Sequence, residues 1–302
     1  MARTASRGRT IAIGIAVAVV VVGALGAAAY VMTRDYGSST AAYSPSSSAP
    51  TATATAAAPA YTGSRFLVAV DDQHAWRSAS GKCSTDSAFV EVTADGGATW
   101  TPAPVARDEK PTAVLALSAT SPTAGDVISQ TAAKCEPSQF GTTDAGASWT
   151  DAQPTGAWWI RPSDFRVVNA AGTAVDAPCQ GRRVYGYDPN DAMLVCNDGV
   201  VFRTSDGGTA WDAGGNIPGV LSVSPVSGGY LVALRGDASC PGIQFRKAGL
   251  TASAADGAVI GCYPVTLGEG STAIAAAPSG IWVWTQNRVE HVTDPWAVGL
   301  RG

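Results

Sequence analysis

The sequence predicts an all-β chain, a β-propeller of about five to six blades, preceded by one N-terminal transmembrane helix. Three observations lead there. An eight-residue turn pattern recurs along the chain, short strand-like runs precede its copies, and one long uncharged stretch stands near the N-terminus.

The turn pattern organises the larger part of the chain. Thr93-Ala-Asp95-Gly-Gly97-Ala-Thr99-Trp100 recurs as Thr142-Thr-Asp144-Ala-Gly146-Ala-Ser148-Trp149, and again as Thr204-Ser-Asp206-Gly-Gly208-Thr-Ala210-Trp211. An Asp carboxylate accepts backbone N–H groups a few residues on, Gly supplies a positive φ, and the later hydroxyl closes the loop. The Trp then opens the next strand and covers the turn with apolar surface. Strand-like runs, Phe89 to Val92 and Val200 to Phe202, come before the pattern, so each unit reads as a β-hairpin with a specified turn.

Two weaker copies extend the series, Lys247-Ala-Gly249-Leu-Thr251 and Gly280-Ile-Trp-Val-Trp-Thr285-Gln-Asn287. The Asp-equivalent positions 95, 144, 206, 247 and 287 are separated by 49, 62, 41 and 40 residues. Repeats of roughly 40 to 50 residues with four short strands each are those of propeller blades. Five positions favour five blades, or six if one blade lacks the pattern; the interval of 62 is read as holding an insertion between Trp158 and Arg183. A β-sandwich is the competing arrangement for such strands.

These residues resemble the Asp-box, or bacterial neuraminidase (BNR) repeat, pattern of Ser/Thr-x-Asp-x-Gly-x-Thr-Trp found in sialidases, sortilin-type receptors and photosystem II stability and assembly factors. The resemblance implies a propeller with its boxes at the blade periphery. It also implies a structural role for Asp95, Gly97, Trp100, Asp144, Gly146, Trp149, Asp206, Gly208 and Trp211.

The N-terminal stretch from Ile11 to Met32 carries no charge over 22 residues. At ~1.5 Å rise per residue that is enough to cross a hydrocarbon core of ~30 Å. Arg3, Arg7 and Arg9 precede it, which places residues 1–10 in the cytoplasm and the remainder outside. The expected organisation is a signal anchor at 11–32, a disordered Ser/Thr/Ala/Pro-rich linker at 33–64, and an extracytoplasmic propeller at 65–302. A signal peptide cleaved near Gly26 to Ala29 is the competing reading. The linker has the composition of either a bare spacer or an O-glycosylated stalk.

All six cysteines, Cys83, Cys135, Cys179, Cys196, Cys240 and Cys262, fall in the outer part, and an even count there predicts disulfides. Six cysteines allow fifteen pairings. Loops of modest length inside one unit favour Cys179 with Cys196 and Cys240 with Cys262, leaving Cys83 with Cys135. Residues 36–302 carry 16 basic and 23 acidic side chains, which argues against nucleic acid as a partner.

The resemblance implies that a sialidase-like hydrolase would need an arginine triad, a Tyr–Glu nucleophile pair and an Asp acid/base. Arg161, Arg166, Arg182, Arg183, Tyr185 and Tyr187 are available, but the only glutamates are Glu91, Glu109, Glu136, Glu269 and Glu290. Ile160-Arg161-Pro162 stands after the second box rather than before the first. His74 and His291 are far apart without a supporting motif, and Asp71-Asp72 and Asp188-Pro-Asn-Asp191 read as acidic turns before they read as calcium ligands. Trp158-Trp159 and the alternating Trp282 and Trp284 read as ligand surface or as packing between blades. No cofactor or metal is expected. The expected function is a non-catalytic binding or assembly role at the cell membrane, with a protein or glycan ligand on the propeller; a sialidase-like glycoside hydrolase is the alternative.

Overall fold

The computed structural model describes residues 64–83, 88–105, 111–131, 135–152, 156–249, 257–267 and 272–293. The expected cytoplasmic residues 1–10, the span 11–32 and the linker up to residue 63 lie outside the described residues. Among the described residues no helix is long and apolar enough to cross a membrane.

Six antiparallel sheets follow one another along the chain, giving blade 1 at 65–102, blade 2 at 111–152, blade 3 at 159–175, blade 4 at 181–216, blade 5 at 220–264 and blade 6 at 273–292. Four have four strands in sequence order; blades 3 and 6 have three among the described residues. The first strand of each blade lies innermost: Arg65–Ala69, Pro111–Ala119, Trp159–Ile160, Gly181–Gly186, Val220–Val226 and Ala273–Ala277. Each of these touches its counterpart in the next blade, and the sixth touches the first, so the ring is closed. The protein is a six-bladed β-propeller.

Blade 3 is where the sequence expectation of an insertion fails. The interval between Asp144 and Asp206 holds a whole blade, with strands Trp159–Ile160, Val167–Val168 and Ala174–Val175 of two residues each. Runs that short carry no hydrophobic periodicity, which is why they read as loop. Asn287 also needs correction. It sits in the turn between the second and third strands of blade 6, Gly280–Thr285 and Arg288–Val292, whereas Asp95, Asp144 and Asp206 sit between third and fourth strands. The match to Val200–Thr204 is one of buried strand followed by turn, not of box. In blade 5, Lys247 and Gly249 end the third strand, Gly242–Gly249, and Leu250 and Thr251 lie outside the described residues.

Second strands are buried from end to end, as in Ala75–Ala79, Ala192–Cys196 and Gly280–Thr285. Each is covered on both faces by neighbouring blades, so continuous apolar runs replace the alternation of a half-exposed sheet. Trp282 and Trp284, two residues apart, both pack on blade 1: Trp282 lies 6.3 Å from Trp100 and Trp284 lies 6.2 Å from Phe89. Arg77 fills the same seam, 4.2 Å over the Trp100 ring and 2.6 Å from Glu91.

All three cysteine pairs form as the loop lengths suggested: Cys83–Cys135, Cys179–Cys196 and Cys240–Cys262. The first joins blade 1 to blade 2; the third lies within blade 5.

Candidate functional site

In blades 1, 2 and 4 the turn between the third and fourth strands follows one hydrogen-bond scheme. Thr93 Oγ1 donates to Asp95 Oδ1 at 2.8 Å and accepts the Gly97 N–H at 3.0 Å. Asp95 in turn accepts the N–H of Thr99 at 2.9 Å and its hydroxyl at 2.6 Å. Thr142, Asp144, Gly146 and Ser148 repeat this at 2.8, 3.0, 2.8 and 2.5 Å. Thr204, Asp206, Gly208 and Ala210 repeat it at 2.8, 2.9 and 3.0 Å without the hydroxyl, because Ala210 has none.

Electrostatics follow the bonding. The hydroxyl and N–H of Thr99 hold Asp95 below the ordinary carboxylate value, and those of Ser148 hold Asp144 down to about 2. Asp206 is lowered by the Ala210 N–H first and the Thr204 hydroxyl second. Such carboxylates stay ionised at neutral pH with their lone pairs directed into their own turns.

The same turns join blade parts together. Gly96, Ala145 and Gly207 donate their N–H groups to Gln73, Thr123 and Asn190 at 3.0, 2.8 and 3.0 Å, tying the outer turn to the inner hairpin turn of its own blade. Each box also meets the preceding blade. Trp100 packs edge-on against Trp282, Trp149 against Trp76 and Trp211 against Trp158, with centroids 6.3, 6.4 and 6.2 Å apart. A Cβ on Gly146 would lie 2.3 Å from that of Ala103, and one on Gly208 would lie 2.7 Å from Val175, so both glycines are sites of close approach. None of these box residues lines the central channel.

That channel is a cavity of about 680 Å³ walled by residues from all six blades. Arg183 crosses it. From the innermost strand of blade 4 its Nη1 donates to the Arg65 carbonyl of blade 1, on the opposite side of the ring. Its guanidinium lies 4.1 Å over Phe66 and 5.4 Å from the Tyr185 ring. Arg65 and Arg183 stand near the starts of their strands, so this bridge floors the channel at one end. The turns that follow the innermost strands form the mouth at the other end, where Phe165, Pro162, Tyr187 and Pro189 make a lip. Phe165 is 51% exposed and has φ 59°, an outlier for an aromatic residue. The Arg161–Asp164 ion pair at 2.5 Å and the bond from Phe165 N to Arg161 O at 2.8 Å hold that turn.

The walls between floor and mouth mix apolar side chains such as Leu117, Ile160, Val223 and Ile274 with serines and tyrosines. Serines there are partly engaged: Ser222 Oγ and Ser224 Oγ accept the Ile274 and Ala276 N–H groups at 3.2 and 3.0 Å, linking blades 5 and 6. The lining holds a single carboxylate among the described residues, Asp188, and its Oδ1 accepts the N–H groups of Asn190 and Asp191 at 2.7 and 2.8 Å. Burial pushes the Arg183 guanidinium below its ordinary value, although part of the side chain still meets the channel.

Other side chains flagged by sequence are engaged with their own neighbours, although Arg182, Tyr185 and Tyr187 also belong to the channel lining. Arg161 and Arg166 pair with Asp164 and Asp176, and Arg182 donates to the Val220 carbonyl at 2.5 Å. Tyr263 hydrogen-bonds Glu290 on the outer strands of blades 5 and 6, away from the channel, and burial pushes its phenol up rather than toward a nucleophile. Asp71 and Asp188 cap equivalent inner turns of blades 1 and 4, and no cluster suited to a metal ion occurs among the described residues. Sequence reasoning missed that His291 of blade 6 reaches the Asp71-Asp72 turn of blade 1, where His74 also sits. His74 bonds Asp71 at 2.9 Å, and His291 lies 3.3 Å from Asp72 and stacks on Trp282. Nothing local signals this, because ring closure alone brings residues 72 and 291 together.

Fold and turns together define a BNR-like six-bladed β-propeller with a central channel floored by one arginine. No protein-family model matches the chain, and no curated protein matches it. Among solved structures it is similar to YCF48 bound to D1 peptide, at 18% identity over 81% of this chain and 65% of that one, with a TM-score of 0.32. It is also similar to YCF48 from Cyanidioschyzon merolae, at 19% identity over 77% of this chain and 67% of that one, with a TM-score of 0.29. A GH74 enzyme of Niastella koreensis shares 16% identity over 76% of this chain and 36% of that one, with a TM-score of 0.43. The chain spans about two thirds of the length of the first and about a third of the last.

Proposed function

We propose that the protein is a non-catalytic binding or assembly propeller, held at the outer face of a cell membrane by residues 11–32 and presenting its channel to a ligand. The observation that carries the reading is the channel itself, about 680 Å³, with walls of mixed apolar and polar side chains and Arg183 across its floor. That volume, and the presence of apolar surface beside fixed polar groups, suit a ligand site. Three disulfides support an oxidising compartment, hence a position outside the cytoplasm. In this reading Asp95, Asp144 and Asp206 hold turns and do no chemistry, which their repeated, self-satisfied bonding supports. Among the described residues no glutamate lines the channel: Glu91 is paired with Arg77 and Glu290 bonds Tyr263, so the hydrolase alternative gains no channel glutamate there.

A photo-crosslinking side chain at Ser118 in the channel of the full-length, membrane-resident protein tests this. A discrete adduct formed in cells, on a domain accessible to protease from outside, is the expected result. Turnover of fluorogenic glycosides by the purified protein would overturn the non-catalytic reading, and recovery of a soluble chain beginning near Ala28 would overturn the anchor.

A further inference from the structure

We infer that the channel receives a ligand with an apolar body and a carboxylate end, the carboxylate meeting Arg183 at the floor and the body lying along the wall toward the Phe165 lip. The inference rests on the binding reading above and adds the chemical class of the ligand.

Three features of the cavity converge on that class. First, Arg183 is a partly buried cation at the channel floor, and among the described residues no carboxylate pairs with it. It meets a carbonyl and two aromatic rings, which orient a guanidinium without neutralising it. A desolvated charge without a counter-charge is costly, and an arriving anion relieves that cost while its planar carboxylate matches the guanidinium fork. Second, the described lining contains no Asn, Gln, Glu, His, Lys or Thr. Its polar side chains are five serines, two tyrosines, Arg182, Arg183 and Asp188; Ser222 and Ser224 already accept N–H groups of the next blade and Asp188 caps its own turn, so few are left for the hydroxyls of a glycan. Third, an exposed aromatic residue is kept in a left-handed conformation at the mouth, pinned by its own turn. Strain retained beside a cavity is what a preformed apolar contact requires. The cavity, about 680 Å³, accepts a drug-sized acid or the last few residues of a peptide.

Both sources offer the same carboxylate, and one experiment separates them. The full-length protein in a neutral detergent is titrated calorimetrically with 4-phenylbutyric acid, with acetyl-Ala-Leu-Phe as the free acid, and with the primary amide of each. The expected result is that at least one acid binds ten-fold or more tighter than its amide, the better acid naming the source. Arg183→Gln, which keeps donors and removes charge, brings the acid-to-amide ratio to about one. Because Arg183 also bridges two blades, Arg183→Lys is measured beside it; retained charge keeps a preference for the acid. Equal binding of acid and amide overturns the inference while leaving channel binding intact. Binding of neither, together with a crosslinked partner at Ser118, overturns the inference and not the proposed function. Tighter binding of a neutral oligosaccharide than of either acid overturns the choice of ligand class.

Discussion

Replacing Gly146 by alanine asks one methyl group to occupy space that the neighbouring blade already fills. At φ 83° the new Cβ would stand 2.3 Å from Ala103 Cβ and 3.2 Å from Ala103 Cα. Ala103 is buried behind the last strand of blade 1 and is tied to Val90 by a backbone bond of 2.9 Å, so the blades must separate slightly to make room. Left-handed backbone costs a non-glycine residue about 1–2 kcal/mol, and overpacking adds about 1–3 kcal/mol, so about 3 kcal/mol is expected. Gly96 supplies an internal control. Its φ is 71°, but its nearest neighbour would be the Gln73 amide at 3.5 Å, and the equivalent place in blade 2 already holds Ala145 at φ 57°. Gly96→Ala therefore carries only the backbone cost, about 1 kcal/mol. In a domain of this size the two substitutions should lower Tm by about 6–12 °C and 2–4 °C. Urea unfolding of the oxidised protein measures both. Equal losses for Gly146→Ala and Gly96→Ala would show that the box does not key one blade into the next. Ala103→Gly in the Gly146→Ala background should recover at least about 1 kcal/mol, since residues in contact do not add independently.

Three further outcomes follow from the same geometry. Ala210→Thr restores the hydroxyl that Asp95 and Asp144 receive, so the Asp206 carboxyl should titrate lower and Tm should rise by about 1–2 °C; an unchanged Asp206 titration by NMR would contradict the box scheme. Removing Cys83–Cys135, which spans 52 residues and joins two blades, should cost about 4 kcal/mol, against about 3 kcal/mol for Cys179–Cys196 with 17; denaturant midpoints of the paired serine variants rank them. Burial holds the His291 imidazole below its ordinary 6.5, against the pull of Asp72. The unfolded chain then binds a proton that the folded seam refuses, so stability is full above pH 6.5 and falls as pH drops through it. Asp144, held at about 2 from 3.8, adds a later loss below pH 3.8. In His291→Phe the first loss should vanish and the second remain, as read from Tm against pH.

Much of the architecture is local and is therefore written in the chain order. The box needs only eight consecutive residues, and each hydrogen bond within it spans four residues or fewer, so Thr93 to Trp100 announces its turn without help from the rest of the protein. Disulfide pairing was legible for the related reason that short loops close most easily, and spacing near 40 to 50 residues converted hairpins into blades. What lies outside that reach was decided by the ring. Blade 3 escaped because strands of two residues have no period, yet the blade is held in place by Trp158 and Val175 against the box of blade 4. Arg183 and Arg65 are 118 residues apart, and His291 and Asp72 are farther still; each pair meets only because six sheets close on themselves. Turn chemistry acts through neighbours in sequence, whereas the channel floor and the closing seam join residues whose only relation is their angle around a common axis.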